Sequence, residues 1–195
     1  VVIIGGGVMG CSILYALAEK GLTNALLLEQ NAQGSGSTGR SQAILRMHYS
    51  NEVTTRMAWE SLKVFRSFEE VTGRPSGYIR TGYLLIVGQP DRAAMERNVE
   101  MQNGLGVNAD VASADELKDI APQFAVADGE ACAFEPESGY ADPWAVTKGY
   151  VERAREPGRG RRRRVPPARL AAQVRMSRTG GERSVTATCV TRPGR

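Results

Sequence analysis

A chain of 195 residues with 42% apolar content can bury one globular core and part of a second, and no run approaches the roughly 18 apolar residues that a membrane span requires. The formal charge of +4 is uneven: from Pro157 onward eleven arginines face the single acid Glu182, whereas residues 1–156 carry 14 basic and 20 acidic groups, which confines the basic balance to the tail. One histidine, His48, and three scattered cysteines, Cys11, Cys132 and Cys189, give no disulfide framework, no zinc site and no centre needing two imidazoles.

The chain opens on four apolar residues, Val1 to Ile4, that read as a strand. Because it opens inside that strand and on valine, it is expected to be a piece of something longer. A soluble, cytoplasmic protein is the expectation, with the cysteines as small buried residues and His48 as an isolated core or surface histidine. After "GGGVMG" a helix places Gly10, Leu14, Leu17 and Gly21 at three-to-four spacing, and Gly21 supplies its C-terminal stop. "ALLLE" is a short apolar strand of the kind covered on both faces. The polar loop "NAQGSGSTGRSQ" follows, with glycines at 34, 36 and 39.

From Asn51, a natural N-cap, the spacing predicts a long helix with Val53, Met57, Leu62, Phe65 and Phe68 as its apolar stripe, ending near Thr72 and Gly73. Residues 82–87 read as a strand, Pro90 to about Asn103 as a helix, and "VNADVA" as a short strand. Ser113 with Glu116 forms a capping box for a helix that stops before Pro122. A strand at 131–135, a turn, and a helix begun by Asp142 and Pro143 complete the regular part.

Gly5, Gly7 and Gly10 satisfy G-x-G-x-x-G between a strand and a helix. Gly5 permits the turn, Gly7 lets the backbone approach a pyrophosphate, and Gly10 lets the helix lie close to the sheet. Val8 and Met9 complete the helix's first turn, where the phosphate is held, and join the cofactor-binding set. Glu29 ends the next strand 19 residues after Gly10, where a carboxylate can hold ribose hydroxyls and disfavours a 2′-phosphate. These features do not separate FAD from NAD. The hydroxyls of Ser35, Ser37, Thr38 and Ser41 and the cation of Arg40 can donate to pyrophosphate oxygens.

With the "GGGVMG" turn, "LLLE", "GSGSTGRS", "ILR" and "GYADPWAVTKGYV", residues 1 to about 155 resemble FAD-dependent oxidoreductases of the glycine/D-amino acid oxidase type, including sarcosine oxidase and dimethylglycine dehydrogenase. The resemblance implies an α/β fold: a Rossmann-like FAD-binding βαβ domain with the beginning of an α+β substrate domain. Residues 1–50 would form the βαβ unit and phosphate loop, 51–138 a helix and part of the substrate domain, and 139–156 a return helix of the FAD domain.

The resemblance further implies FAD as cofactor and a small amino-acid or amine as substrate. The C–N bond of a secondary or N-methylated amino acid, or of a D-amino acid, would lose a hydride to the flavin. Arg46, in "ILR", would pair with the substrate carboxylate, a task suited to the guanidinium fork; a surface arginine is the alternative. The loop position that bears a flavin-linked histidine in some relatives holds Arg40, so covalent attachment is not expected there.

Residues 157–195 show no helical stripe, and only "SVTATCVT" reads as a strand. A disordered tail, a frameshift product and a phosphate-binding arm are all open, with the frameshift favoured and nucleic acid not expected as a partner. A chain that truly ends here is expected to show little oxidase activity alone. The alternative functions are an NAD-dependent dehydrogenase and a noncatalytic nucleotide- or nucleic-acid-binding module. No membrane association is expected, and further subunits are left open.

Overall fold

A computed structural model describes residues 1–22, 24–124, 127, 129–156, 169–172, 174–179 and 182–187. Along the chain run β1 (Val2–Ile4), α1 (Val8–Glu19), β2 (Leu26–Glu29), β3 (Ile44–Leu45), α2 (Glu52–Arg66), α3 (Phe68–Thr72), β4 (Ile79–Arg80), β5 (Tyr83–Val87), α4 (Arg92–Gly104), β6 (Asp110–Ala112), α5 (Ala114–Ile120), β7 (Ala131–Glu135), β8 (Gly139–Tyr140), α6 (Pro143–Arg155), β9 (Arg169–Ala172), β10 (Val174–Thr179) and β11 (Glu182–Ala187). The chain divides into two units. One comprises Val1–Ala43, Phe68–Gly77 and residues from Asp142 onward; the other comprises Ile44–Ser67 and Tyr78–Ala141.

In the first unit β1 and β2 pair in parallel, Ile3 opposite Leu27, and α1 links them as a βαβ crossover. Gly10, Cys11 and Leu14 form the buried face of α1. Gly21, at φ +81°, ends the helix, and the next N–H, of Leu22, returns to the Leu17 carbonyl. Helix α6 starts where the sequence predicts, with one Asp142 carboxylate oxygen accepting the Trp144 and Ala145 N–H groups at 2.8 and 3.2 Å. Tyr150 of α6 lies 5.2 Å, centroid to centroid, from Tyr15 of α1 and meets Phe68 of α3 edge-on at 4.9 Å. Only glycine at 149 admits that approach, because a Cβ there would stand 2.6 Å from the Phe68 ring.

The tail is corrected in part. Residues 157–168, including Arg161–Arg164, lie outside the described residues, but β9 pairs in parallel with β2, and β10 and β11 form an antiparallel pair. Three strands thus occupy a stretch in which the residue pattern marked only 184–191, whose residues 188–191 lie outside the described residues. The open side of β2 offers backbone N–H and C=O groups to any extended segment, so β9 needs no side-chain alternation to join it.

The second unit holds two antiparallel sheets, ordered β5-β7-β6 and β3-β8-β4. Met47, Leu62, Met95 and Val99 anchor one core cluster, and Ala112, Leu117, Ala121 and Cys132 a second. The capping box forms in both directions, the Glu116 N–H donating to Ser113 Oγ and the Ser113 N–H to Glu116 Oε2.

The predicted long helix is two: α2 stops at Arg66, and α3 belongs to the first unit. Val53 and Met57 of the predicted stripe are 69% and 66% exposed, whereas Thr55 and Leu62 are buried, with Ala58 and Trp59 against the core. The apolar residues of α2 spread over more than one face, and the core takes only one. The boundary also falls at Ala43 rather than near residue 50, because β3 pairs with β8. Strands of two residues, such as β3, β4 and β8, are too short to show any period. Among the described residues no helix is long and apolar enough to cross a membrane.

Candidate cofactor site

The site grows from the turn between β1 and α1. Gly5 leaves the strand at φ +101° and donates its N–H to the Leu28 carbonyl at 2.8 Å. The Gly6 N–H donates to Glu29 Oε2 at 2.6 Å, and Glu29 Oε1 accepts the Asn31 N–H at 2.8 Å. Gly7 is the N-cap of α1 and, having no side chain, leaves the helix end uncapped. The N–H groups of this first turn have no intrahelical acceptor. Thr38 Oγ1 accepts that of Val8 at 3.0 Å.

Close approach explains the glycines. A Cβ on Gly10 would collide with the Gly5 carbonyl oxygen, and one on Gly7 would stand 2.9 Å from Thr38 Oγ1. The loop after β2 is fastened to the same turn: the Gly34 N–H donates to the Gly6 carbonyl at 2.9 Å, and the Gly34 carbonyl accepts the Gly39 N–H at 2.7 Å. Gly34 sits at φ +76° against Thr147 of α6, so the return helix supports the loop from below.

These pieces enclose a cavity of about 870 Å³, within the usual size of a small-molecule site. Gly5, Gly7, Val8, Met9, Gly10, Glu29, Ser37, Thr38 and Arg40 line it, so one wall carries helix-end N–H groups, hydroxyls and a guanidinium while Glu29 supplies a carboxylate. That donor set suits an anionic pyrophosphate, and each Glu29 oxygen, having accepted one backbone N–H, keeps a lone pair for a ribose hydroxyl. The residues fit the adenosine diphosphate part of FAD.

Ser41 is not among the lining residues. Its hydroxyl donates to the Thr38 carbonyl at 2.8 Å and accepts the Ala43 N–H at 3.3 Å, closing the 3₁₀ turn Thr38–Arg40. The lining also includes Ser35, whose hydroxyl is among the loop donors, together with Asn31, Ala32 and Gly36, which the residue pattern does not assign to the cofactor. The Glu29 carboxylate two residues earlier, within reach of the Asn31 N–H, was the available signal for Asn31. Cys11 lies behind the turn with its thiol on the Gly6 carbonyl, and burial pushes its pKa up to about 11. It is a packing residue.

Arg46 belongs to the second unit and does not line this cavity. Its Nη1 donates to the His48 carbonyl at 2.6 Å, and its guanidinium carbon lies 4.8 Å from the Tyr49 ring centre and 5.4 Å from that of Tyr83. Nearby Glu135, unremarked in the sequence, is buried and accepts the Met47 N–H at 2.9 Å and the Ser138 hydroxyl at 2.7 Å. Burial raises the Glu135 pKa from its ordinary value, against the Met47 and Ser138 hydrogen bonds and the Arg46 charge, and burial followed by the Arg46 charge lowers that of His48. The 3.8 Å between His48 Nδ1 and Glu135 Oε1 is a contact between two groups whose charged forms burial disfavours.

Comparison with known proteins agrees with this geometry. The family model "DAO: FAD dependent oxidoreductase" matches residues 1–190, which decides for FAD where the glycine motif and Glu29 left NAD open. The mitochondrial pyruvate dehydrogenase phosphatase regulatory subunit of Mus musculus is 30% identical over 159 residues, covering 81% of this chain and 18% of that protein. The mitochondrial sarcosine dehydrogenase of Homo sapiens is 33% identical over 145 residues, covering 73% and 16%. The crystal structure of L-proline dehydrogenase from P. horikoshii superposes with a TM-score of 0.77 at 28% identity, covering 90% of this chain and 44% of that one. The chain thus spans less than a fifth of the length of these curated relatives.

Proposed function

The chain belongs to the DAO family of FAD dependent oxidoreductases, and from that premise we propose that it binds FAD through the βαβ turn and serves the oxidation of a C–N bond in an amino-acid-like substrate. Secondary and N-methylated amino acids are the preferred class, with D-amino acids next. The observation that carries the reading is the pairing, in one cavity, of the α1 N-terminus, whose N-cap Gly7 has no side chain, with the Glu29 carboxylate. Relatives named for sarcosine, dimethylglycine and 4-methylaminobutanoate support the substrate class.

In this reading the first-turn N–H groups of α1 beyond Val8, whose N–H Thr38 takes, donate to the pyrophosphate with Ser37, Thr38 and Arg40, and Glu29 accepts from the ribose. Gly7 keeps the backbone bare where the phosphates approach, and Gly10 lets α1 lie against the Gly5 carbonyl. FAD, when bound, supplies the two-electron acceptor for the oxidation. Arg46 offers its planar fork to the substrate carboxylate and so orients the amine.

Two measurements test it. After incubation with FAD and desalting, the protein should retain flavin absorbance in a stoichiometric amount; a colourless protein defeats the cofactor assignment. Anaerobic addition of N-methylglycine should then bleach that absorbance faster than addition of dimethylamine, which lacks the carboxylate. Equal rates would defeat the role of Arg46.

A further inference from the structure

Glu135 ends β7 and is the one carboxylate among the described residues to be fully buried. Withdrawing a carboxylate from water is costly, and a neutral side chain of the same shape often serves stability as well or better, so packing alone does not account for it. Its Oε2 accepts the N–H of the peptide joining Arg46 to Met47, at 2.9 Å, and the Ser138 hydroxyl at 2.7 Å. Gln102, equally buried, donates from Nε2 to the Met47 carbonyl at 3.5 Å. The backbone directly after Arg46 is thus held on both sides.

Among the described residues the guanidinium makes no ion pair, although its charge acts on Glu135. Its Nη1 turns to the His48 carbonyl while its plane lies by the Tyr49 and Tyr83 rings. Tyr83 is the cross-strand partner of Glu135 in the β5–β7 pair, so one residue controls both the Arg46 backbone and one wall of its side-chain seat.

We propose that Glu135 is a positioning residue for Arg46, fixing its guanidinium beside the Tyr49 and Tyr83 rings so that the N–H groups not given to His48 remain available to a substrate carboxylate. This rests on the reading of Arg46 as the carboxylate receptor. Glu135 acts through geometry, so Glu135→Gln, whose amide oxygen can accept the same Met47 N–H, should preserve the effect, while Glu135→Ala should abolish it.

The test uses the full chain loaded with FAD, labelled with ¹⁵N-arginine, and N-methylglycine as probe. The Arg46 Nε–H resonance, assigned by its loss in Arg46→Lys, should be shifted upfield by the tyrosine rings in the parent and in Glu135→Gln. In Glu135→Ala it should move to the position of exposed arginines, and N-methylglycine affinity, read by calorimetry, should fall about tenfold. Arg46→Ala should lose a similar factor, and the double variant no more than Arg46→Ala alone.

An unmoved resonance in Glu135→Ala, or losses that multiply in the double variant, overturns the proposal. Full affinity in Arg46→Ala would instead remove the carboxylate reading of Arg46, which the resonance distinguishes from failed positioning. Should Glu135→Ala not fold, Ser138→Ala takes its place. A loss of about two- to threefold that vanishes in the Arg46→Ala background supports the proposal, and an unchanged resonance and affinity overturns it.

Discussion

The Gly6 N–H donates to Glu29 Oε2 over 2.6 Å, tying the end of β2 to the glycine turn that precedes α1. The same carboxylate that faces the cavity therefore also shapes the turn beside it. Glu29→Ala should weaken FAD binding by about 1.5–3 kcal/mol, the range for hydrogen bonds to a charged group, as read by quenching of flavin fluorescence. Glu29→Gln, which keeps an acceptor for Gly6, should lose less. Equal affinity in parent and Glu29→Ala would contradict the ribose role.

Gly10→Ala places a methyl group where the Gly5 carbonyl oxygen already stands. The helix must then lift from the strand, at a cost of about 1–3 kcal/mol for an overpacked contact. Thermal unfolding should show the drop, and FAD titration should show the cradle lost. A variant as stable as the parent would mean that the turn can relax more than its hydrogen bonds suggest.

Asp142 caps α6 through the N–H groups of Trp144 and Ala145. Removing it in Asp142→Ala should cost about 1 kcal/mol. Because Thr147 of the same helix supports Gly34, urea denaturation should show the loss together with a modest weakening for FAD. Asp142→Asn, which keeps an acceptor, should recover most of the stability.

The buried pair of the second unit gives opposing pH signatures. Burial lowers the pKa of His48 below 6.5, with Arg46 adding to the shift. The unfolded chain therefore takes up that proton first, and this contribution to stability is lost as pH falls below about 6.5. Burial raises the pKa of Glu135 above 4.5, against the Met47 and Ser138 hydrogen bonds and the Arg46 charge. Its contribution is present below 4.5 and is lost as pH rises through the folded value. Glu135→Gln should therefore gain stability relative to the parent as pH rises, measured by urea unfolding at a series of pH values. His48 is the single histidine, so its imidazole proton resonance should titrate alone, with a midpoint below 6.5. A midpoint above that value would make the pair an ion pair.

The strand, glycine turn, helix and second strand were legible in residues 1–29 because each is a local pattern: an apolar run, residues that must lack a Cβ, and a three-to-four spacing closed by Gly21. The caps at Asn51, Ser113 and Asp142 were legible for the same reason, since a cap reaches only two or three residues along its own chain. Nothing local sets Ser41 apart from the hydroxyls that line the cavity. Its hydroxyl resembles that of Thr38 in sequence, and only the turn decides that one closes on the backbone while the other supports Val8.

By itself the sequence determined the βαβ unit, the glycine cradle, Glu29 as its acidic partner and the resemblance to FAD-dependent amine oxidoreductases. The tertiary structure decided which face of α2 the core takes, that β9 adds to the open side of β2, and that α3 joins the first unit. It also decided that Glu135, 88 residues from Met47, holds the backbone beside Arg46. The physical reason is common to all four. Periods, caps and glycine turns are written in neighbouring residues, whereas burial, strand pairing and a buried carboxylate's partners depend on what distant segments bring to the same place.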